Sequence, residues 1–404
     1  MKYTIDELTE ALSRETRDEL LQNILPYWID KMPDQENEGF YGRIDGFNNL
    51  HKDAAKGIIL NTRILWTFSA ACRLFRRDEY LATAHQALAY IIKYFVDQEY
   101  GGVYWMLDHK GNPIESKKQI YGQAFAIYAL AEYYRVTRDQ KALDLAKSIF
   151  RLLEKHSFDE QNGGYIEALD RKWQPLADLR LSEKDANEKK SMNTHLHVLE
   201  AYTNLYRIWP DTELKQKLEA LIHVFLKHII DPISSHFCLF FDEKWNKRSK
   251  AVSYGHDIEG SWLLIEAAEM LNDPRLIEKV KSKAMLMAAT VVGEGIDDDG
   301  GLWYELHKDG VMDFDKHWWP QAEAIVGFVS AWQQGGGEHF MRLAYRVWKF
   351  TKTNIIDSQN GEWYFRVNRD GKPYLDEDKA GPWKCPYHNG RMCMEIYERL
   401  KVSP

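Results

Sequence analysis

The chain predicts an all-α fold: an (α/α)6 barrel of twelve helices, with residues 1–404 as one domain and short β-hairpins at the mouth of a central cavity. Three observations predict it. A short pattern recurs six times, opening at Asp34, Asp97, Asp159, Asp231, Asp297 and Asp357, with steps of 60 to 72 residues. Two stretches of helical periodicity fill each interval between copies. One helical segment is left over at each terminus, and pairing these two closes the ring. An open solenoid would carry capping repeats at its ends instead.

The copies read DQENEGFYGRI, DQEYGGVYWML, DEQNGGYIEAL, DPISSHFCLFF, DDDGGLWYEL and DSQNGEWYFRV; the fourth has Ser234 and Ser235 where the others carry Gly or acidic residues. A second turn candidate follows each: Asp45-Gly46, Lys110-Gly111, Lys172-Trp173, Lys244-Trp245, Asp309-Gly310 and Asp370-Gly371. A polar turn, a short alternating aromatic strand and another turn make a hairpin. The third and fourth lack the glycine and are weaker. In chain order, the helical stretches are 5–28, then 52–74 with 80–95, 119–136 with 140–154, 192–207 with 214–230, 257–270 with 274–291, 320–333 with 338–354, and 388–400. The first helix of each pair is expected inside, its start facing the mouth.

Composition narrows the function classes. The 53 basic and 61 acidic residues give a net charge of −8, with no block of Lys and Arg to follow a nucleic acid. No apolar run is long enough to span a bilayer, and the N-terminus lacks the apolar core of a secretory signal. A cytoplasmic protein is expected. Cys72, Cys238, Cys385 and Cys393 have neither metal-site spacing nor disulfide density, so they read as buried or site-lining thiols. Fourteen Trp and 22 Tyr supply more ring surface than a core of this size requires, which favours a ring-lined ligand cavity. The outer helices show no second apolar stripe, so a monomer is expected.

The residues hardest to explain by packing cluster at the inner-helix starts. Arg63 is a guanidinium in the apolar run IILNTRILWTFSAA and needs a carboxylate or a ligand oxygen. Tyr121 opens the second inner helix. Asn193 and His197 are four apart and share a face, whereas His195 points elsewhere and reads as a structural histidine. His256 and Glu259 are three apart, so the carboxylate can orient the imidazole; the H-E-x-x-H of a metalloprotease is absent. Trp319 and Glu323 share a face behind a Trp-Trp-Pro start, which reads as a sugar platform. In GPWKCPYHNGRMCME, Trp383, Pro386 and Tyr387 precede His388, which falls at a helix N-terminus where the dipole favours a neutral ring.

On these residues the chain resembles the N-acylglucosamine 2-epimerase superfamily and, within it, the cellobiose 2-epimerases. The likeness spans nearly the whole chain. It rests on Asn193-Thr-His-Leu-His197, Tyr254-Gly-His-Asp-Ile-Glu259, Trp318-Trp319 with Gln321-Ala-Glu323, and Gly381-Pro-Trp-Lys-Cys-Pro-Tyr-His388. The resemblance implies inversion at C2 of the reducing-end unit of a β-1,4-linked disaccharide, without metal or other cofactor, through ring opening and a cis-enediolate. By that resemblance His256 and His388 transfer the protons and His197 assists ring opening. Arg63, Tyr121 and Asn193 hold the C1–C3 oxygens, and Glu259 tunes His256. Asp185 and the rings of Trp303, Trp319 and Trp383 grip the sugars. The chemistry agrees, because inversion next to a carbonyl needs an acid and a base on opposite faces, and histidine serves without large pKa shifts. Three rivals compete: an aldose–ketose isomerase on the same fold, an inverting glycosidase using Glu259 or Glu323 with Asp257, and a non-catalytic carbohydrate- or protein-binding module.

Overall fold

The aspartate that opens each repeat does two jobs. In the computed structural model, which describes residues 3–401, its Oδ1 accepts backbone N–H groups of the turn that it begins. Asp34 takes those of Glu36 and Asn37, Asp97 those of Glu99 and Tyr100, and Asp357 those of Gln359 and Asn360. Its Oδ2 takes a lysine: Lys56 on Asp34 at 2.7 Å, Lys118 on Asp97 at 2.9 Å, Lys190 on Asp159 at 2.8 Å, Lys316 on Asp297 at 2.7 Å, and Lys379 on Asp357. Four of these lysines stand two residues before an inner helix, so each ion pair staples a turn to the next helix start. In the degenerate fourth copy Val252 takes that place and Lys247 holds Asp231 instead, at 2.5 Å.

Among the described residues twelve helices follow, counting as one the N-terminal pair α1 (Ile5–Glu19) and α2 (Leu25–Lys31), joined through a π turn at Leu20–Ile24. The pairs are α3 (Ile58–Phe75) with α4 (Asp78–Tyr90), α5 (Ile120–Thr137) with α6 (Gln140–His156), and α7 (Met192–Ile208) with α8 (Thr212–Val224). They continue as α9 (Tyr254–Leu271) with α10 (Pro274–Glu294) and α11 (Trp318–Ala331) with α12 (Glu338–Asn354). Finally α13 (His388–Arg399) pairs with α1. The odd-numbered helices α3 to α13 touch in order, and α13 packs on α3, closing the inner ring. Inner helices are buried all round: Ile58 through Cys72 of α3 are all inside. Outer helices bury one stripe, as α6 does with Ala142, Leu143, Ala146, Ile149, Phe150 and Leu153. None of the described helices is long and apolar enough to cross a membrane.

A second ring, of strand pairs, lies over the first. The two residues before each inner helix pair antiparallel with the hairpin of the next repeat: Lys56–Gly57 with Met106–Leu107, Lys118–Gln119 with Ala168–Leu169, Lys190–Ser191 with Phe240–Phe241, Val252–Ser253 with Glu305–Leu306, and Lys316–His317 with Arg366–Val367. A bridge from Ile44 to Ala380 completes the circle. The fourth residue of an inner helix then satisfies hairpin backbone that would otherwise be buried unpaired. Gln123 bonds both N–H and C=O of Val103, Gln321 does the same for Leu302, and Asp257 accepts from Phe237.

The second turns form without glycine where the sequence lacks it. Gly111, Gly310 and Gly371 occupy the left-handed region, and Trp173 (φ 63°) and Trp245 (φ 68°) take the same conformation. That costs a side chain about 1–2 kcal/mol. Each indole offsets it by donating to a carbonyl at 2.9 Å, Tyr100 for Trp173 and Asn162 for Trp245, and by stacking on His156 or His228. Helix starts differ from the periodicity. The first inner helix begins at Ile58 rather than at 52, because Lys56–Gly57 is extended. Two others begin early, at Tyr254 and Trp318, which puts His256 and Trp319 inside first turns, where Pro320 is tolerated because its missing N–H has no intrahelical partner. All four cysteines are free, three buried and Cys238 half-buried.

Breaking one staple should be costly. Asp34→Ala strands the Lys56 ammonium in a fully buried position and frees the turn. Urea denaturation should show a loss of about 3–5 kcal/mol.

Candidate active site

The floor of the cavity is organised by a residue that the sequence reading passed over. Arg391 is the fourth residue of α13, the position that elsewhere holds a hairpin. Its Nη2 donates to Glu259 Oε1 at 2.6 Å and to Glu323 Oε1 at 2.7 Å, and its Nη1 donates to Glu200 and to the Tyr387 hydroxyl. The guanidinium lies over the rings of Trp262 and Tyr387. All four charged groups are buried, so one cation ties together carboxylates from α7, α9 and α11.

Two of those carboxylates turn to histidines. Glu323 Oε1 sits 2.7 Å from His388 Nδ1, and Glu200 Oε2 sits 3.0 Å from His197 Nδ1. An anionic partner at Nδ1 fixes the proton there and leaves Nε2 with its lone pair. His388 is the first residue of α13, as expected from Pro386 and Tyr387. Glu259, Glu323 and His388 stand close enough together to hold a cation, and the Arg391 guanidinium supplies one at that spot.

The remaining catalytic candidates gather nearby. His256 has Ser253 Oγ at 2.7 Å from Nδ1, a hydroxyl that can donate or accept. Its ring centroid is 4.6 Å from that of Trp319, and the same indole lies 5.6 Å from His388, so both imidazoles pack near one indole. His197 packs on Tyr121 at 4.8 Å and on Phe125 at 4.7 Å. Arg63 donates to the Tyr121 hydroxyl at 2.9 Å and to the Trp383 carbonyl at 3.3 Å, between the rings of Phe125 and Tyr387. Among the described residues it has no carboxylate partner, and its Nε is unbonded. His195 is structural: Nδ1 meets the Ser191 carbonyl and Nε2 accepts from the Tyr165 N–H.

Burial sets the proton states. It pushes the His256 imidazole down to about 3, helped by the neighbouring His197, against which a second proton would be repelled. It holds His388 well below its ordinary value, helped by Arg63 and Arg391. Both rings are therefore neutral bases rather than the unshifted histidines expected. Burial alone would raise the Glu200 carboxyl, but Arg391 and His197 outweigh it and bring it to about 2.

A cavity of about 920 Å³ opens at His256, lined also by Asp185, Asn193, Tyr304, His317 and Arg366 among others. Asn193 lines it with its Oδ1 unbonded, and Asp185 has Oδ2 occupied by the N–H and hydroxyl of Ser182. Trp383 lines an adjoining slot of about 210 Å³ with Trp105. Two expectations need correction. Glu259 does not touch His256, whose partner is Ser253; its hydrogen bond is to Arg391 instead. Trp303 packs edge-on against Phe314 and is not among the residues that line this cavity; Arg63, Tyr121, His197, Trp319, Glu323 and His388 do not line it either. Successive residues of an extended segment face opposite ways, and the ring in the cavity is Tyr304, stacked on His317 at 3.8 Å. Arg391 and Glu200 were readable: the first is a guanidinium in an apolar helix, as Arg63 is, and the second lies three residues after His197.

Arg391→Met should leave three sealed carboxylates without a cation and lower stability by about 3–5 kcal/mol. The pH dependence should reverse. In the wild type the depressed Glu200 contributes stability above the usual carboxylate range, which fades as pH falls toward 2. In the variant the carboxyls, now raised, should cost more stability as pH rises. Denaturation at several pH values reads both effects.

The model of the N-acylglucosamine 2-epimerase family matches residues 39–390. The cellobiose 2-epimerase of Bacteroides fragilis is 50% identical over 390 residues, covering 96% of this chain and 99% of that one. A cellobiose 2-epimerase structure from Bacillus thermoamylovorans superposes with a TM-score of 0.92 at 44% identity, covering 96% of this chain and all of the other. A D-mannose isomerase, at 20% identity over 96% of this chain and 97% of its own, shares the fold with a TM-score of 0.82. The chain belongs to the N-acylglucosamine 2-epimerase family.

Proposed function

We propose that this protein inverts C2 of the reducing-end glucose or mannose unit of β-1,4-linked disaccharides such as cellobiose, lactose and mannobiose. The observation that carries this reading is the pair of neutral imidazoles, His256 and His388, both packed near the Trp319 indole, with Arg63 buried near His388 and, among the described residues, lacking a carboxylate partner. The relatives named cellobiose 2-epimerase support the substrate class.

In this reading the reducing-end sugar opens on the cavity floor, with His197 assisting proton movement at the ring oxygen. Arg63, Tyr121 and Asn193 hold the oxygens of C1 to C3. One of His256 and His388 removes the C2 proton, leaving a cis-enediolate whose charge Arg63 stabilises. The other donates the proton of its Nε2–H tautomer to the opposite face, and the proton taken by the first passes to it through the sugar hydroxyls, so both rings end neutral. Glu323 steadies His388 as it becomes imidazolium, and the Ser253 hydroxyl lets His256 take either tautomer. Trp319 offers an apolar face to the sugar, while Asp185, Tyr304 and Trp383 meet the second unit in the wider cavity. No cofactor takes part, and residues 1–404 act as one cytoplasmic domain and as a monomer.

An isomerase would share the enediolate and differ in returning the proton to C1; the fold likeness to D-mannose isomerase carries no substrate information. The glycosidase reading loses its acid pair, because Asp257 is buried against His236 at 2.7 Å and the Phe237 N–H. A non-catalytic binding module would leave three converging histidines without a task.

Incubation with cellobiose in deuterated water, followed by NMR, should yield glucosyl-mannose carrying deuterium at C2. Free glucose would mean hydrolysis and a ketose as main product would mean isomerisation. His256→Ala and His388→Ala should each lose about 10² or more in turnover while still binding disaccharide by calorimetry. Retained turnover would remove that histidine from proton transfer.

A further inference from the structure

Three carboxylates and one guanidinium share a sealed volume, and their charges do not cancel. Glu200, Glu259 and Glu323 all accept hydrogen bonds from Arg391, and none of the four residues is more than 4% exposed. Fully ionised, the cluster would bury two uncompensated negative charges, which a low-dielectric interior strongly penalises. A proton on one carboxyl relieves that cost.

The hydrogen bonds say which one. Glu200 is bonded by Arg391, the Tyr387 hydroxyl and His197 Nδ1. Glu323 is bonded by Arg391, His388 Nδ1 and the Trp262 indole N–H at 3.1 Å. Each is served by three donors: Glu200 is held as an anion, and Glu323, whose carboxyl burial also pushes up, is better compensated than Glu259. Glu259 has one donor, Arg391 Nη2, and that same nitrogen reaches Glu323 Oε1. One guanidinium nitrogen can donate its two hydrogens to two carboxylates, but Glu259 then shares that single positive charge with Glu323, within 4.8 Å, and has no donor of its own.

We propose that Glu259 works as a neutral carboxylic acid that donates its proton to Glu323, a positioning residue that holds Glu323 against His388. Burial first, and the Glu323 charge second, push the Glu259 carboxyl well above the usual carboxylate range. The groups around it come from every inner helix that it meets: Glu200 on α7, with His197 behind it, Glu323 on α11, and Arg391 and Tyr387 on α13. His388 Nδ1 stands 4.0 Å away, and Tyr121 on α5, bonded to Arg63 of α3, also senses its charge. Helices α8 and α10 pack behind α9. When Glu259 ionises, a second negative charge arises beside Glu323, the shared proton is lost, and His388 loses its fixed partner. Turnover should therefore fall on the alkaline side through a group that does not touch the sugar.

The first test is infrared spectroscopy in deuterated buffer at neutral pH, as a difference between wild type and Glu259→Gln. The expected result is loss of a carbonyl band of a protonated carboxylic acid; loss of a carboxylate band instead overturns the assignment. Neutron diffraction from deuterated wild-type crystals needs no variant to fold, and should place a deuteron on Glu259 toward Glu323; density without it overturns the assignment. The third readout is the pH profile of kcat/KM on cellobiose. Glu259→Gln, which cannot ionise, should move the alkaline limb upward by about one pH unit or more; an unmoved limb argues against the role. Only this third arm rests on the epimerase reading. A wild type silent on cellobiose overturns that reading, and the spectra and neutron density still decide the protonation of Glu259.

Discussion

One buried guanidinium organises the floor of this barrel. Arg391 reaches Glu200, Glu259 and Glu323 at once, so three neighbouring inner helices are referenced to the sixth. Those carboxylates orient His197 and His388, so the positions of two imidazoles follow from one charge. A cation can hold that many acids without water only if each oxygen is satisfied, and the Tyr387 hydroxyl and Trp262 indole complete the set. Arg63 lies close by in the opposite condition, with hydrogen bonds to neutral groups and no counter-charge. One arginine is committed to architecture. The other remains available to an anionic oxygen.

The repeat supplies the frame on which that cluster hangs. Six aspartates each hold a turn with one oxygen and a lysine with the other, and the lysine usually begins the strand that leads into an inner helix. Strand pairing then runs from each repeat to the next around the mouth. The result is that every inner helix starts at the same level, facing inward. Variation is confined to what those first turns carry. The fourth position of an inner helix is a hairpin clamp in α5, α7, α9 and α11 and the buried charge hub in α13.

Much of this was legible in the chain. The six-fold recurrence and the unpaired terminal helices fixed the ring, and even the glycine-free turns at Trp173 and Trp245 were correctly placed. His195 and His197 separated by helical geometry alone. The sequence reading failed where a partner comes from another helix. Glu259 is three residues from His256, and spacing suggested a pair, yet its partner is 132 residues away at Arg391. Trp303 and Tyr304 are adjacent, and only the direction of the strand decides which ring enters the cavity.

The sequence by itself determined the architecture and the family, because periodicity and turn chemistry are local and repeat six times. Only the tertiary structure decided the proton states and the pairings: that burial keeps His256 and His388 neutral, that Arg63 has no counter-ion, and that Arg391 does. The reason is physical. Helix and turn preferences are written in neighbouring residues, whereas desolvation and Coulomb energy depend on which distant groups fold into the same few ångströms.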